Sequence, residues 1–436
     1  MPHAGRRLLS LFWPLAASSL LMGTAEALVS AGLARAPGPE VALAAYGAVL
    51  AVALLIEAPV IPLLHAANAL GYSRATRRLV FGFMLAVGAG CGALHALVAL
   101  SPLYGIVFGH WLGLPAAVVA VARPGMIAMI PWSPAIAWRR YFQGVLIRQG
   151  VTRPIGIGTG VRTVTVAIVL IGGLMLRPDL GVAIGGLALA LGVSAEAVFI
   201  TFAARAAGEP VGSGPPLNLR HLIVFFLPLA LTNGVSFLGR TVAAAQLALG
   251  MLAVPSLAAW PVAWAALFLI QGPVTMTQQL VIASPDGIGD RSLWRFTMGV
   301  GGVATAVVAV LLPLGLPFYF MRIIGIQGTV LALAMDAVIL MTVLPMLVAQ
   351  QQFWQGVLVR TRSTWAIIAG SSANLAMLTA AGFLGVGGLR WPAVDVVALA
   401  TLAGYGAELG VLALASRRRA PVPVMEALPA EAGTGP

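Results

Sequence analysis

Lysine is absent. All 25 basic side chains of the 436-residue chain are arginines, only 13 residues are acidic, and charged residues make up 9% of the total. A phosphate loop of the Walker type needs its lysine, so an ATP-driven pump within this chain is excluded. A soluble domain carries about 25% charged residues, and the shortfall excludes water as the main solvent. The single cysteine, Cys91, lies in an apolar run. It can form no internal disulfide and indicates no redox compartment. The five histidines and the cysteine show no metal-ligand spacing, so no metal, cofactor or catalytic residue is expected and the chain does not read as an enzyme.

What is present is apolar. Hydrophobic residues reach 60%, with a mean hydropathy of +0.98. A membrane helix needs about 20 mostly apolar residues, and the runs are continuous rather than alternating, which excludes a transmembrane barrel. The expectation is an all-α membrane protein with twelve spans. They lie at about 8–33, 41–66, 79–100, 116–138, 154–176 and 183–204, then 222–247, 258–282, 296–316, 327–350, 364–385 and 396–416. The net charge of +12 could suggest nucleic acid, but the arginines fall mostly in short loops between spans. With both termini inside, 18 occupy inner segments and four (Arg35, Arg177, Arg322, Arg390) occupy outer loops. That positive-inside bias predicts cytoplasmic termini in a bacterial-type inner membrane, with the bilayer rather than nucleic acid as the partner. A monomer is the expected state.

The chain repeats itself. Tyr141–Arg162 (YFQGVLIRQGVTRPIGIGTGVR) returns as Phe353–Asn374 (FWQGVLVRTRSTWAIIAGSSAN), 212 residues later and without gaps. Phe12–Ala34 likewise matches Phe225–Leu247, with Pro14 on Pro228. A segment with an internal copy belongs to the fold, so the basic, apolar N-terminus is not read as a cleaved signal. Six spans per half give the copies one orientation, hence two parallel repeats. The divisions are 1–207, a cytoplasmic linker at 208–221, 222–419, and a disordered tail at 420–436. The repeated Gln143–Arg148 and Gln355–Arg360 segments are expected in inner loops. Gly156, Gly158 and Gly160 lack the context of a nucleotide loop and suit close helix packing instead. Trp132, Trp138, Trp260, Trp264, Trp354 and Trp391 suit span-end anchors.

Ionisable groups inside spans cost a few kcal/mol and are functional candidates for that reason. An offset of 214 puts Glu26 of span 1 on Arg240 of span 7 and Glu57 on Gln271, and the offset of 212 puts Arg162 on Asn374 and Glu196 on Glu408. In a two-lobed carrier spans 1 and 7 face each other across the cavity. Arg240 would then bind an anion with Glu26 as partner or coupling group, or the two would form a plain ion pair that holds one state closed. Glu57 and Gln271 sit beside helix-breaking prolines (Pro59, Pro62, Pro273), where freed carbonyls can face a cavity. Arg162 and Asn374 complete the substrate-binding candidates. Asp336 has no acidic mate in the first half and joins Glu26 and Glu57 as a candidate for coupling a proton or sodium ion. His65 is a possible proton carrier or a helix-end residue. Glu196 and Glu408, matched between halves, are expected to pair structurally with inner arginines.

The stretches AEALVSAGLA and LAAYGAVLA of spans 1 and 2, IPWSPAIAWRRYFQGVLIRQG after span 4, FFLPLAL opening span 7, AMDAVILMTVLP of span 10 and GYGAELGVLALASRRR at the end carry a resemblance. With the six-plus-six layout and prolines in spans 1, 2, 7 and 8, they resemble the MATE-like multidrug/oligosaccharidyl-lipid/polysaccharide (MOP) exporter superfamily. Within it the chain looks most similar to the progressive ankylosis (ANK) transporters. That resemblance implies an alternating-access carrier exporting a small organic or phosphorylated anion of the citrate, pyrophosphate or ATP class. It matches an acidic residue at Glu26, an arginine at Arg240 and an acidic residue at Asp336. The missing lysine and short loops depart from it and weigh against so highly charged an anion as ATP. A proton- or sodium-coupled multidrug exporter and a lipid or lipid-linked oligosaccharide flippase are the alternatives.

Overall fold

The structure is a computed structural model that describes residues 2–151, 153–208, 216–283, 288–360 and 363–417. The tail at 420–436 and residues 209–215 of the interlobe linker lie outside the described residues. Ten helices are long and apolar enough to cross a membrane, or eleven with one bent pair counted as a span. The first helix completes a set of twelve rods. In chain order they are α1 (Pro2–Leu33), α2 (Pro39–Leu70), α3 (Arg74–Leu100), α4 (Ala116–Ala128 with Trp132–Arg148), α5 (Arg153–Leu176), α6 (Pro178–Ala206), α7 (Leu219–Leu249), α8 (Ala253–Ile282), α9 (Asp290–Leu311), α10 (Gly328–Arg360), α11 (Trp365–Gly388) and α12 (Ala393–Ser416). Among the described residues there is no β-strand. The protein is a multi-pass helical membrane protein. Val164, Ile168, Ile171 and Met175 form one exposed apolar stripe along α5, with Met175 80% exposed. At that helical spacing only lipid makes such a face stable.

The two halves echo one another in detail. In α4 the chain bends by 43° between Ala128 and Trp132, and in α10 a 3-10 turn interrupts the rod at Met341–Val343, 212 residues on from Met129. Short π-helical segments follow α3 at Gly105–Trp111 and α9 at Tyr319–Ile324. In one half α5 packs along α6, and in the other α11 packs along α12. The break that proline predicts in α2 is present as the 3-10 turn Ala58–Val60. α8 carries Pro273 inside its helix and breaks just beyond Thr275.

One expectation needs correction. The repeated QG segments are not inner loops. Tyr141–Arg148 continues the helix begun at Trp132, and Phe353–Arg360 completes α10. No breaker lies in YFQGVLIR or FWQGVLVR, so the helices run on until Gln149 and Arg360. Their glycines are packing devices. A Cβ on Gly144 would collide with the Leu64 carbonyl and the Ala67 methyl of α2, and one on Gly356 would lie 2.7 Å from Val281 Cβ of α8. Each half thus clamps the end of its proline-broken helix against the helix carrying the repeat.

The halves meet along α1 and α2 on one side and α7 and α8 on the other: α1 and α2 pack on α8, and α2 also on α7. At the face opposite the chain's first helical turn, Arg35 closes the seam. Its guanidinium donates to the carbonyls of Ile324 (2.6 Å), Ile323 (2.9 Å) and Arg322 (3.0 Å) in the second half. Overpacking typically costs about 1–3 kcal/mol, so Gly144→Leu and Gly356→Leu should each lower the unfolding temperature in detergent. An unshifted melting curve for both would remove the clamp.

Candidate functional site

A cavity of about 280 Å³ opens between the halves, lined by α1, α2, α7, α8, α10, α11 and α12. Glu26 of α1 and Arg240 of α7 both line it, as the repeat offset suggested. They do not form an ion pair: among the described residues neither makes a salt bridge, and Arg240 lies over the Trp264 ring at 5.4 Å. That ring is in turn tilted against Trp260, with centroids 5.8 Å apart. A guanidinium on an indole face gains a few tenths to about 2 kcal/mol, yet its N–H donors remain free. Half-buried in an apolar bundle, it is a positive charge without a salt-bridge partner among the described residues.

Other donors converge on the same space. Tyr46 and Ser30 line the cavity, are each 1% exposed, and have hydroxyls without a protein partner. The Trp264 Nε1–H, also lining it, has none either. A buried polar group without a hydrogen bond costs about 1–3 kcal/mol, and three around one cavity mark a place where something else supplies the acceptors. The sequence reading missed Tyr46 and Ser30. The only available signal was their position one helical face from Glu26 or opposite it, and neither residue type stands out in an apolar span.

Asn374 is in the cavity wall as expected, but its side chain belongs to a hydrogen-bond knot. Asn374 Nδ2 donates to Glu408 Oε2 and Gln355 Nε2 to Glu408 Oε1, both at 2.9 Å. The first half builds the corresponding knot on Glu196, where Gln143 Nε2 donates to Oε1 (3.1 Å) and Arg139 Nη1 pairs with Oε2 (2.8 Å). Gln143 and Gln355 are the repeat-matched glutamines of the opening motif, and they do the same work. Arg139, however, is matched by Gln351, and Arg162 by Asn374. The expectation that both glutamates pair with arginines therefore holds for Glu196 and fails for Glu408. Glu408 is 1% exposed, lines the cavity, and has only amide partners.

The remaining candidates lie elsewhere. Glu57 is 4% exposed and accepts a hydrogen bond from Trp132 Nε1 rather than facing the cavity. Arg162 is buried behind it, 6.0 Å over the same indole ring. Gln271 is buried in α8 with its Oε1 unpartnered, outside the cavity lining. Asp336 sits on an exposed face of α10, and His65 on an exposed face of α2, neither in the cavity wall. Removing one partner of a buried ion pair costs about 3–5 kcal/mol, because the other charge stays buried. Arg139→Ala should therefore destabilise the protein strongly in thermal unfolding, whereas Gln351→Ala at the matched position should cost far less. Equal losses would erase the difference between the knots.

No protein-family model matches the chain, and no curated protein matches its sequence. Its fold is nevertheless shared with solved structures over nearly their whole length. An inward-facing multidrug resistance MATE family transporter of the MOP superfamily aligns with a TM-score of 0.72 at 14% identity, over 91% of this chain and 96% of that one. A MOP superfamily transporter from Pyrococcus furiosus, described by the reverse polarity of its binding pocket, aligns at 0.66 and 14% identity, over 93% and 94%. A MATE family transporter in the outward-facing conformation aligns at 0.65 and 13% identity, over 95% of each chain. The chain shares the fold of these MATE family transporters.

Proposed function

We propose that the protein is an alternating-access carrier that exports a small organic or phosphorylated anion, bound at Arg240. The observation that carries this reading is the unpaired guanidinium of Arg240, surrounded by hydrogen-bond donors without protein acceptors. A carboxylate or phosphate would accept from Arg240, from the Tyr46 and Ser30 hydroxyls, and from Trp264 Nε1–H. Glu26 then balances the guanidinium while the cavity is empty and yields to the substrate when it is filled.

The fold supports alternating access, since transporters of this type are known both inward- and outward-facing. With cytoplasmic termini, the Arg35 clasp closes the outer face, and breaking its three carbonyl contacts would be part of opening outward. Anion export also agrees with the resemblance to the progressive ankylosis transporters. A cation-coupled multidrug exporter is the second reading, favoured by the carboxylates of Glu26 and Glu408 and the indole rings of Trp260 and Trp264 around one cavity. Arg240 at the same cavity repels a cationic drug, and the anion reading is preferred on that ground. Glu57, Arg162 and Gln271, packed behind the cavity wall, support the site from outside it. Asp336, facing away, is left as a coupling candidate only for a state in which α10 turns.

Charge-assisted hydrogen bonds are worth about 1.5–3 kcal/mol, so Arg240→Ala should weaken anion binding roughly ten- to a hundredfold. In proteoliposomes it should abolish citrate or pyrophosphate transport while leaving the elution volume and melting of the protein unchanged. Tyr46→Phe should reduce uptake several-fold. Full anion uptake by the Arg240 variant, or ethidium moving in the parent while both anions stay put, would overturn the reading.

A further inference from the structure

We infer that Glu408 is a proton-binding site, set apart from Glu196 by amide side chains where the first-half knot has arginine. The two knots share a geometry and differ in what their donors can do. An arginine can only donate, whereas an asparagine or glutamine amide both donates and accepts. Around Glu196, Arg139 requires a carboxylate: a protonated acid there would lose its ion pair and leave its new O–H facing a donor. Around Glu408, Asn374 can turn its amide and present Oδ1 to a carboxylic O–H. Protonation therefore costs Glu196 its ion pair with Arg139, and costs Glu408, whose partners among the described residues are both amides, no ion pair.

The ligand is a proton rather than a metal ion. Both Glu408 oxygens accept N–H groups, from Gln355 and Asn374, and Gln355 Oε1 is itself engaged by Gln278 Nε2 at 3.4 Å. A sodium ion would need several of those positions to be oxygens. The charged surroundings are few. α8 and α11 carry no ionisable residue. On α7, Arg240 faces the same cavity, and Glu26 of α1 faces it from the other half. Tyr405, on Glu408's own helix, lies within electrostatic reach of both Glu408 and Arg240. Asp336 of α10 lies near Asp395 of α12, a different group from Glu408, and Arg360 of α10 pairs with Asp290 at 2.7 Å.

Protonation changes what the cavity holds. With Glu408 ionised, two carboxylates face one guanidinium across the cavity, and an anion entering it is repelled. With Glu408 protonated, Arg240 and Glu26 balance, and an anion on Arg240 completes the site. Anion and proton then bind with positive coupling, which is reciprocal. The coupling rests on the anion reading above, but the proton site does not.

The experiment reads the proton directly. In infrared pH titrations of the purified, reconstituted protein, a carboxylic-acid C=O band should titrate, vanish in Glu408→Gln, and persist in Glu196→Gln. Gln351→Arg, which restores the first-half arrangement, should abolish the band at every pH while the protein elutes and melts as a folded carrier. A band unchanged in Glu408→Gln, or an identical titration in Gln351→Arg, would overturn the proton site. With the site in place, the Kd for citrate or pyrophosphate should fall by up to tenfold per unit fall in pH, and Glu408→Gln should bind with no pH dependence. If the band behaves as expected and neither anion binds at any pH, the anion reading fails and the proton site stands.

Discussion

A buried carboxylate in an apolar bundle must find its hydrogen bonds inside its own half, because lipid offers none. That constraint organises this molecule. Glu196 and Glu408 each gather a glutamine from the helix that carries the repeat, and each fixes the end of that helix against α6 or α12. Gly144 and Gly356, one residue beyond those glutamines, press the same helices onto α2 and α8. The repeat motif is the join between a charged knot and a close helix crossing, built twice.

The two-lobed fold follows from joining these units without disturbing either. α1 does much of the joining. Near its start Leu8 packs with Val281, Leu293 and Phe353 of the second half, and Phe12 meets Phe296 edge-on at 5.5 Å. Near its end, Gly32 lies against Leu170 of α5, and Val29 against Gly185 of α6. Between those anchors come Glu26 and Ser30, at the cavity. The helix that bridges the halves thus also carries two of the polar residues that line the cavity, Glu26 and Ser30.

Much of this was legible in the sequence. The apolar runs give the helices, and a 212-residue offset predicts which residues of the QG segments correspond. The 212-residue offset identifies Gln143 with Gln355 as equivalent donors, and an offset of 214 near the start of each half matches Glu26 with Arg240, which line one cavity. What it could not supply is side-chain direction. Glu57, Arg162 and Gln271 have the right depth and the wrong rotational setting, pointing into helix contacts behind the wall, and Asp336 points outward. Continuous hydrophobicity hides that setting, because a span apolar all round has no polar face to read. The helical ending of α4 was hidden for a similar reason: arginines at its end look like a loop, although Arg139 is a buried partner of Glu196.

Correspondence between the halves was informative in two opposite ways. Where the copies agree, as at Gln143 and Gln355, the residue serves the scaffold, and substituting it would disturb a helix crossing common to both lobes. Where they disagree, the scaffold tolerates either residue, so another requirement has chosen between them. Arg139 against Gln351 and Arg162 against Asn374 remove two positive charges from around a carboxylate that the fold retains. Glu408 instead meets the desolvation of its charge through two amide hydrogen bonds alone, without the ion pair that Glu196 has. Glu408 lies against an open cavity with two amides as partners, and an amide can accept a hydrogen bond as well as donate one, which an arginine cannot.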